Sequence, residues 1–387
     1  MYWVERPNPP FVEEPRVPFL HLQAEKLINE MVECGIEPNT TTYNTLLAAW
    51  SQSKFPEAPI RISQIFDQMK EEKKTQPDII TFNTVLKSFA EVGDGERAEK
   101  FLSEMMRGGK KEIQADKTSF NTVITAWSRS RSPAAAQKAE TLLAKMQDLG
   151  GPLRPDHVTF NCVIAACARS SANDAAERCE SIFQKMVDLY QAGERRLKPD
   201  LATYANLLFA WARSSKPEAP HRAESIFQDL LRRLEAGDSA LMPNRRCYES
   251  LINVWAKSGH PDAGLHAEEY LKKLLQLGRG QANDFAPNVS HFTATIQAWA
   301  KSGRPNRVDK IFDLLEMAVE QARNGNLYAT PDRKLFITIL VILASSNAQD
   351  KEEKADHLIH MMRNSKINPD NLIMHHLKQC YTSRTMQ

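Results

Sequence analysis

The stretch AWARSSKPEAPHRAESIF, residues 210–227, recurs with small changes along the chain. It returns as AWSRSRSPAAAQKAETLL at 126–143, as ACARSSANDAAERCESIF at 166–183 and as VWAKSGHPDAGLHAEEYL at 254–271. The position of Trp211 can be followed through the whole sequence at intervals of 38 to 44 residues, as Trp50, Phe89, Trp127, Cys167, Trp211, Trp255, Trp299 and Leu343. Self-similarity at such a period is typical of a stacked-repeat architecture.

Each unit contains two amphipathic helices. In residues 117–130 the apolar positions Phe120, Val123, Ile124 and Trp127 follow the i, i+3, i+4, i+7 spacing of one helix face. The same spacing recurs in residues 139–146, after a short polar linker. A helical hairpin of this size cannot bury its apolar stripe alone, so neighbouring units must stack. We therefore predict an all-α fold, a right-handed α-solenoid of stacked helix-turn-helix repeats.

The repeat boundaries follow from this register. We predict eight full repeats at 40–78, 79–116, 117–156, 157–200, 201–244, 245–288, 289–332 and 333–370. Before them lie a Pro-rich segment, 1–20, and a partial repeat at 21–39 that holds a second helix alone. After them, 371–387 is a partial repeat with a first helix alone, which serves as a cap unless the array continues in a longer protein.

Composition excludes several classes of protein. The 387 residues carry a net charge of +2, and the longest apolar run, 335–344, is too short to span a bilayer, so no membrane insertion is predicted. The Pro-rich start, with its three Glu residues, shows no clear transit peptide. Walker, nucleophile-elbow and zinc-deaminase motifs are absent from the sequence. We predict no enzyme activity, cofactor or metal site.

The start of each unit carries a second recurring motif, a Pro-Asp or Pro-Asn followed by a hydroxyl residue, an aromatic residue and often Asn. Examples are PNTTTYNTLL at 38–47, PDIITFNTVL at 77–86 and PDHVTFNCVI at 155–164. These segments resemble the pentatricopeptide repeat, although the units here are longer than is usual in that family. The resemblance implies a protein that binds single-stranded RNA in a mitochondrion or plastid. It implies a role in stabilisation, processing, translation or editing of RNA, together with protein partners in RNA processing.

A polar stripe runs along the first helix of the unit independently of any family. Asn121, Thr125 and Arg129 are spaced i, i+4, i+8, so the cation lies about 12 Å along the helix from the amide. The same eight-residue step leads to a cation in the five central repeats, and we predict that these cations contact RNA phosphates: Arg129, Arg169, Arg213, Lys257 and Lys301.

The resemblance also implies which side chains read bases. In the family, the fifth residue of a repeat acts with its last residue on one base. The corresponding pairs are Asn44/Asp78, Asn83/Asp116, Asn121/Asp156, Asn161/Asp200, Ala205/Asn244, Glu249/Asn288, Thr293/Asp332 and Ile337/Asp370. The second residue of a repeat sandwiches the base, which points to Ile80, Val158 and, by guanidinium stacking, Arg246.

By this resemblance Asn with Asp favours uracil and Thr with Asp favours guanine. The expected site is 5′-UUUU, two loosely specified bases that favour adenine or cytosine, a guanine and one unspecified base. Ala205, Glu249 and Ile337 depart from the usual pairs, and a carboxylate at Glu249 would repel phosphate. A uridine-rich 5′ part is thus the predicted feature of the RNA.

Other interpretations of the same residues remain open. Helix capping alone would account for every terminal Asp or Asn, and the cation row could be a solvated face. The alternative function is a tetratricopeptide-like scaffold that binds a protein segment and no RNA. The four successive Asn residues at the fifth position favour RNA, because a repetitive amide stripe suits a repetitive ligand.

Overall fold

The computed structural model describes residues 20–53, 55–72, 75–107, 114–130, 132–278, 285–346, 348–365 and 367–381. Within these ranges the chain is helical and contains no strand. It divides into two compact units, with the boundary between Ser171 and Ala172. The predicted Pro-rich segment falls outside the described residues except for Leu20.

The first unit contains eight helices in its described part. Second helices of successive repeats are α1, α3, α5 and α7, and first helices are α2, α4, α6 and α8. Their bounds are α1 Leu20–Glu33, α2 Thr40–Gln52, α3 Ala58–Glu71, α4 Ile79–Val92, α5 Gly95–Arg107, α6 Lys117–Arg129, α7 Ala135–Leu149 and α8 His157–Arg169.

The second unit contains ten helices in its described part. Here the first helices carry even numbers from α10 to α18, and the second helices carry odd numbers. Their bounds are α9 Ala175–Gln191, α10 Leu201–Arg213, α11 Ala219–Glu235, α12 Arg245–Ser258, α13 Ala263–Gly278, α14 Val289–Lys301, α15 Arg307–Arg323, α16 Arg333–Ala344, α17 Lys351–Asn364 and α18 Asn371–Tyr381.

Within each unit the helices form two layers. Each first helix packs on the first helix of the next repeat, as α4 does on α6 and α12 does on α14. Each second helix packs in the groove between its own first helix and the next one, as α13 does between α12 and α14. Each unit is therefore a stack of helical hairpins, which confirms the predicted all-α solenoid.

The anchor tryptophans hold successive repeats together. Trp127, Trp211, Trp255 and Trp299 are buried, as expected for core packing. The indole Nε1 of Trp299 donates to Glu268 Oε2 at 3.0 Å, and Trp255 bonds Glu224 at 3.1 Å in the same way. In the first unit Trp50 bonds Glu25 and Trp127 bonds Glu99, both at 3.2 Å. Each carboxylate lies on the second helix of the preceding repeat and satisfies an otherwise buried donor.

The loops after the longer second helices close with a short 3₁₀ turn. Such turns occupy Arg195–Leu197 and Ser239–Leu241, each preceded by a glycine with a φ near +100°, Gly193 and Gly237. The turns bury Leu197 and Leu241 under the helices. The extra residues of the longer repeats are therefore accommodated in a folded loop, and the first helices keep a nearly constant length.

Candidate nucleic-acid interface

The last residue of each repeat is the N-cap of the next first helix. Asp78 accepts a hydrogen bond from Thr81 N at 2.9 Å, and the Thr81 hydroxyl accepts in return from Asp78 N at 3.1 Å. Equivalent side-chain caps begin the first helices that follow, at Asp116, Asp156, Asp200, Asn244, Asn288, Asp332 and Asp370. Capping is thus a role of every terminal Asp or Asn, which fixes the direction of each side chain.

Two of the predicted base-reading pairs are in direct contact. Asn44 Nδ2 donates to the Asp78 carboxylate at 3.1 and 3.3 Å, and Asn83 Nδ2 donates to Asp116 at 3.5 Å. The amide oxygen in turn accepts from the hydroxyl of the next helix, Thr81 for Asn44 at 2.6 Å and Ser119 for Asn83 at 2.7 Å. The first two repeat junctions therefore carry the same amide–carboxylate–hydroxyl group.

The carboxylate in this group is held in its charged form. Partial burial alone would raise the pKa of Asp78, but the hydrogen bonds from Thr81 and from the Asn44 amide outweigh it and lower the pKa below the ordinary value. An ionised, half-buried carboxylate with a defined direction is a good acceptor for an imino N–H. Uracil and guanine carry such a group on the Watson–Crick edge.

The third pair, Asn121/Asp156, is arranged differently. Lys117 Nζ lies 2.8 Å from Asp156 Oδ2, and Asn121 Oδ1 is buried with no hydrogen-bond partner among the described residues. Burial would raise the pKa of Asp156, but the Lys117 ammonium and the Thr159 amide lower it instead. The pair is therefore not joined as the first two are, because a cation occupies the carboxylate.

The four pairs that lie wholly in the second unit are not joined in this way among the described residues. Asn161 lies on α8 in the first unit, whereas Asp200 caps α10 in the second. Ala205 and Thr293 are buried, at 5% and 8% exposure, and the Thr293 hydroxyl bonds Val289 O of its own helix at 2.9 Å. Asp370 forms an ion pair with Arg333, and the half-buried Ile337 has an apolar side chain that cannot bond the carboxylate. Asn244, Asn288 and Asp332 act as caps.

The predicted base-sandwiching positions face solvent. Ile80 is 60% exposed and Val158 45% exposed, although both are apolar, and Arg246 is exposed as well. The second residue is exposed in all eight repeats, the other five being Thr41, Thr118, Ala202, Ser290 and Lys334. Exposure of an apolar side chain beside an ordered polar group leaves a surface on which a base can pack.

The predicted phosphate contacts are exposed and also bridge repeats. Arg129 donates to Ala90 O at 3.3 Å, Lys257 to Ala212 O at 2.6 Å and Lys301 to Ala256 O at 3.0 Å. Each acceptor lies in the last turn of the preceding first helix, where carbonyl groups lack intrahelical partners and attract cations. Arg169 bonds the Ser128 hydroxyl at 2.8 Å in the same region. These cations therefore also connect neighbouring repeats by hydrogen bonds, a role that was not predicted from the sequence.

Three of these cations influence each other in the second unit. Burial lowers the pKa of Lys257, and the positive charges of Arg213 and Lys301 lower it further. Arg213 has no carboxylate partner among the described residues and lies over the Phe209 ring at 5.7 Å. The second unit thus carries a strip of like charges that a bound anion would stabilise.

Family models match the start of this array. A pentatricopeptide repeat domain matches residues 26–91, and a PPR repeat matches residues 80–109. Residues 26–109 of this chain therefore carry pentatricopeptide repeats. These matches confirm the predicted resemblance to the pentatricopeptide repeat family.

The similar curated proteins are pentatricopeptide repeat-containing proteins of plants. A segment is 30% identical over 107 residues to At3g06430, chloroplastic, of Arabidopsis thaliana, covering 28% of this chain and 21% of that protein. Another is 35% identical over 79 residues to At4g02820, mitochondrial, of the same species, covering 20% and 14%. The matches span about a fifth or less of these relatives, whose compartments agree with the expected organellar location.

A solved structure has the same fold over nearly the whole chain. The pentatricopeptide repeat protein PPR10 in complex with an 18-nt psaJ RNA element matches with a TM-score of 0.65 at 20% identity. The match covers 96% of this chain and 46% of PPR10. At 20% identity this similarity concerns the fold alone.

Two further observations on the described residues concern membranes and metals. None of the helices in the described part combines the length and hydrophobicity needed to cross a bilayer. Over the same ranges, no cluster of three or more His, Cys, Asp or Glu side chains could hold a metal ion.

Proposed function

We propose that this chain binds single-stranded RNA in a mitochondrion or plastid and reads one base per repeat. The observation that carries the proposal is the repetition of one polar group at successive repeat junctions, Asn44 with Asp78 and Asn83 with Asp116. The spacing of these groups follows the repeat itself, so a ligand that engages them must repeat too. A polynucleotide with splayed bases has that property.

Base selection follows from the chemistry of these groups. The carboxylate accepts from the imino N–H of uracil, while the Asn side chain beside it excludes larger edges and contributes a polar contact. We propose uracil for the four repeats that carry Asn with Asp, and guanine for the Thr293/Asp332 repeat. The uridine-rich part lies at the 5′ end of the site.

The cation row supplies the part of the affinity that is independent of sequence. Arg129, Arg169, Arg213, Lys257 and Lys301 are all exposed. Arg129 and Lys301 bond backbone carbonyls and have no carboxylate partner among the described residues, so their positive charge is not compensated. Contacts of these groups with phosphates release counterions, so the affinity should fall with salt.

An RNA bound in this manner is protected from nucleases and prevented from pairing. These effects underlie stabilisation, processing, translation and editing in organelles, and we place the protein in this post-transcriptional metabolism. The PPR10 structure, which contains RNA, supports the proposal through its shared fold. Protein partners in RNA processing fit the same role.

A salt titration tests the proposal directly. Fluorescence anisotropy of the full chain with labelled oligo-U and oligo-A is measured between 50 and roughly 200 mM salt. We expect tighter binding of oligo-U, and a linear fall of log K with log salt. If neither oligomer binds, or if binding is insensitive to salt, the protein is better described as a scaffold for a protein segment.

A further inference from the structure

A cavity of about 220 Å³ opens between α10 and α12 in the second unit. One wall comes from α10, with Ala205, Phe209 and Arg213 at i, i+4 and i+8 on one face of the helix. The other wall comes from α12, with Glu249 and Lys257 among its lining residues. The cavity thus lies at the junction of the fifth and sixth repeats, where the amide stripe is interrupted.

The interruption itself makes room for the cavity. The four preceding repeats carry Asn at the fifth position, and this repeat carries Ala205, whose side chain is buried. Four residues on, Phe209 is half-buried and lines the cavity with an aromatic ring. At the corresponding position the other repeats have Ala48, Lys87, Thr125, Ala165, Asn253, Gln297 and Val341, so this ring is unique in the row.

Two of the charged side chains that line the cavity, Glu249 and Arg246, have no polar partner among the described residues. Glu249 makes no hydrogen bond or ion pair in the described part of the chain, and Arg246, one turn before it on α12, makes none either. With Arg213 and Lys257 the cavity holds three cations and one carboxylate. An excess of positive charge at the rim suits a phosphate, while the carboxylate requires hydrogen-bond donors.

Among the RNA bases, guanine has the matching edge. Its N1–H and N2–H₂ groups are adjacent donors that can address both oxygens of one carboxylate. Uracil offers one imino donor, and adenine or cytosine offers an amino donor beside an acceptor nitrogen that a carboxylate repels. A purine also presents the larger face for stacking on an aromatic ring or a guanidinium plane.

We propose that this cavity is a guanine-selective nucleotide subsite, an inference that rests on the RNA binding proposed above. Glu249 accepts from N1–H and N2–H₂ of the base. Phe209 and Arg246 border the base on the two walls, and Arg213 and Lys257 hold the adjoining phosphate. The charge of Glu249 would repel an RNA backbone, but here Glu249 binds the base. Arg213 and Lys257 bind the phosphate instead.

Selection from a random RNA pool tests the subsite. The full chain and its Glu249→Gln variant each enrich binders from a randomised single-stranded RNA, and base frequencies are compared position by position. The matched control is Glu91→Gln, which neutralises an exposed carboxylate on the first helix of the second repeat. We expect two guanine-enriched positions in the wild-type selection, one for the Thr293/Asp332 repeat and one for the cavity. The first should persist in both variants, and the second should lose its preference in Glu249→Gln and keep it in Glu91→Gln.

A second measurement does not depend on the folding of any variant. In the selected RNA, the guanosine at the cavity position is replaced by inosine, which lacks the N2 amino group, and binding to the wild-type chain is compared. We expect a loss of about tenfold in affinity, the size of one hydrogen bond to a charged acceptor. The Glu249→Gln variant should show almost no such difference between the two RNAs.

The outcomes separate the two proposals. If RNA is enriched but no guanine preference depends on Glu249, or if inosine binds the wild-type chain as well as guanosine, the subsite is refuted and RNA binding stands. If no RNA is enriched at all, the proposed function fails and the subsite fails with it.

Discussion

Gly264 lies against the face of the Trp299 indole. A Cβ atom on Gly264 would be 2.5 Å from the ring of Trp299, and the same indole donates from Nε1 to Glu268, one turn further along α13. The backbone of one repeat and the anchor side chain of the next are therefore in direct contact. Gly95 has the same relationship to Trp127. Where Cys167 replaces the tryptophan, the corresponding residue of the preceding second helix is Ala136.

We expect Gly264→Ala to destabilise the second unit although alanine is the better helix former. Overpacking against the buried ring should exceed the gain in helix propensity, for a net loss of about 1–2 kcal/mol. The midpoint of urea unfolding, followed by circular dichroism, measures the effect. Ala136→Gly is the control, since it makes the reverse change where no indole has to be accommodated, and it should lose only the propensity. An unchanged midpoint in Gly264→Ala would mean that the two repeats can accommodate the added methyl group without loss of stability.

The stability of the second unit should decrease in mild acid because of His291. Burial and the nearby Arg245 lower the pKa of His291 from its ordinary value of 6.5 to about 4. Its Nδ1 accepts from Asn288 N at 3.1 Å in the capping box of α14, which requires the unprotonated ring nitrogen. Between pH 6.5 and 4 the unfolded chain binds a proton that the folded chain excludes, so folding is disfavoured as the pH falls through this window.

The size of this effect follows from the shift of the pKa. We expect His291 to cost about 2 kcal/mol on going from pH 7.5 to pH 5. Urea unfolding at both pH values, for the wild type and for His291→Thr, isolates the contribution, because Thr fills the same cap position in other repeats. His375→Thr, on the exposed face of α18, is the control and should retain the pH dependence of the wild type. Equal pH dependence in wild type and His291→Thr would contradict the prediction.

Arg213 should contribute to RNA binding through charge alone. It has no carboxylate partner among the described residues, so its replacement disrupts no ion pair. We expect Arg213→Ala to weaken binding of all RNA sequences similarly and to reduce the slope of log K against log salt by about 0.7. Arg222→Ala removes a cation of the second-helix layer that is paired with Glu180, and it should leave the slope unchanged. A slope unaffected by Arg213→Ala would place the phosphates elsewhere.

The third base should follow the identity of residue 121. Asn121→Thr converts this repeat to the combination found at Thr293/Asp332, and we expect its preference to shift from uracil toward guanine. Competition between RNAs that differ only at the third base measures the shift. RNAs that differ only at the fourth base serve as the control, since the Asn161 repeat is untouched. If the preference changes at neither base, the two positions do not act as a pair in this protein.

Much of the array could be predicted because the information is periodic. The recurrence of Trp127, Trp211, Trp255 and Trp299 is sufficient to place the helices, since each apolar stripe must meet the next. The Pro-Asp motif predicts the helix starts, because Asp and Asn satisfy free amide groups at N-termini. The cations that lie eight residues after the fifth residue of a repeat are exposed, as a row of surface charges requires.

The contacts across each junction could not be predicted in the same way. Lys117 bonds Asp156 where the first two repeats use an amide, and Lys257 bonds Ala212 O of the preceding helix. Such contacts depend on side-chain length and rotamer, and on the offset between helices, none of which leaves a periodic trace. The position of Phe209 could not be predicted either. An aromatic residue on a first helix is usually a core residue, and only the placement of α12 shows that this one lines a cavity.

The proposed double role of Asp78 and its equivalents, as helix cap and as base reader, would limit how such an array can diversify. Each such residue starts one helix and is proposed to help recognise the ligand at the preceding junction. It can be exchanged only for a residue that performs both tasks. Few residue types can therefore occupy these positions, and all eight of them are Asp or Asn here. Attempts to retarget the protein toward a new ligand sequence should draw most of their variety from the residue partnered with the cap, where no helix depends on the choice.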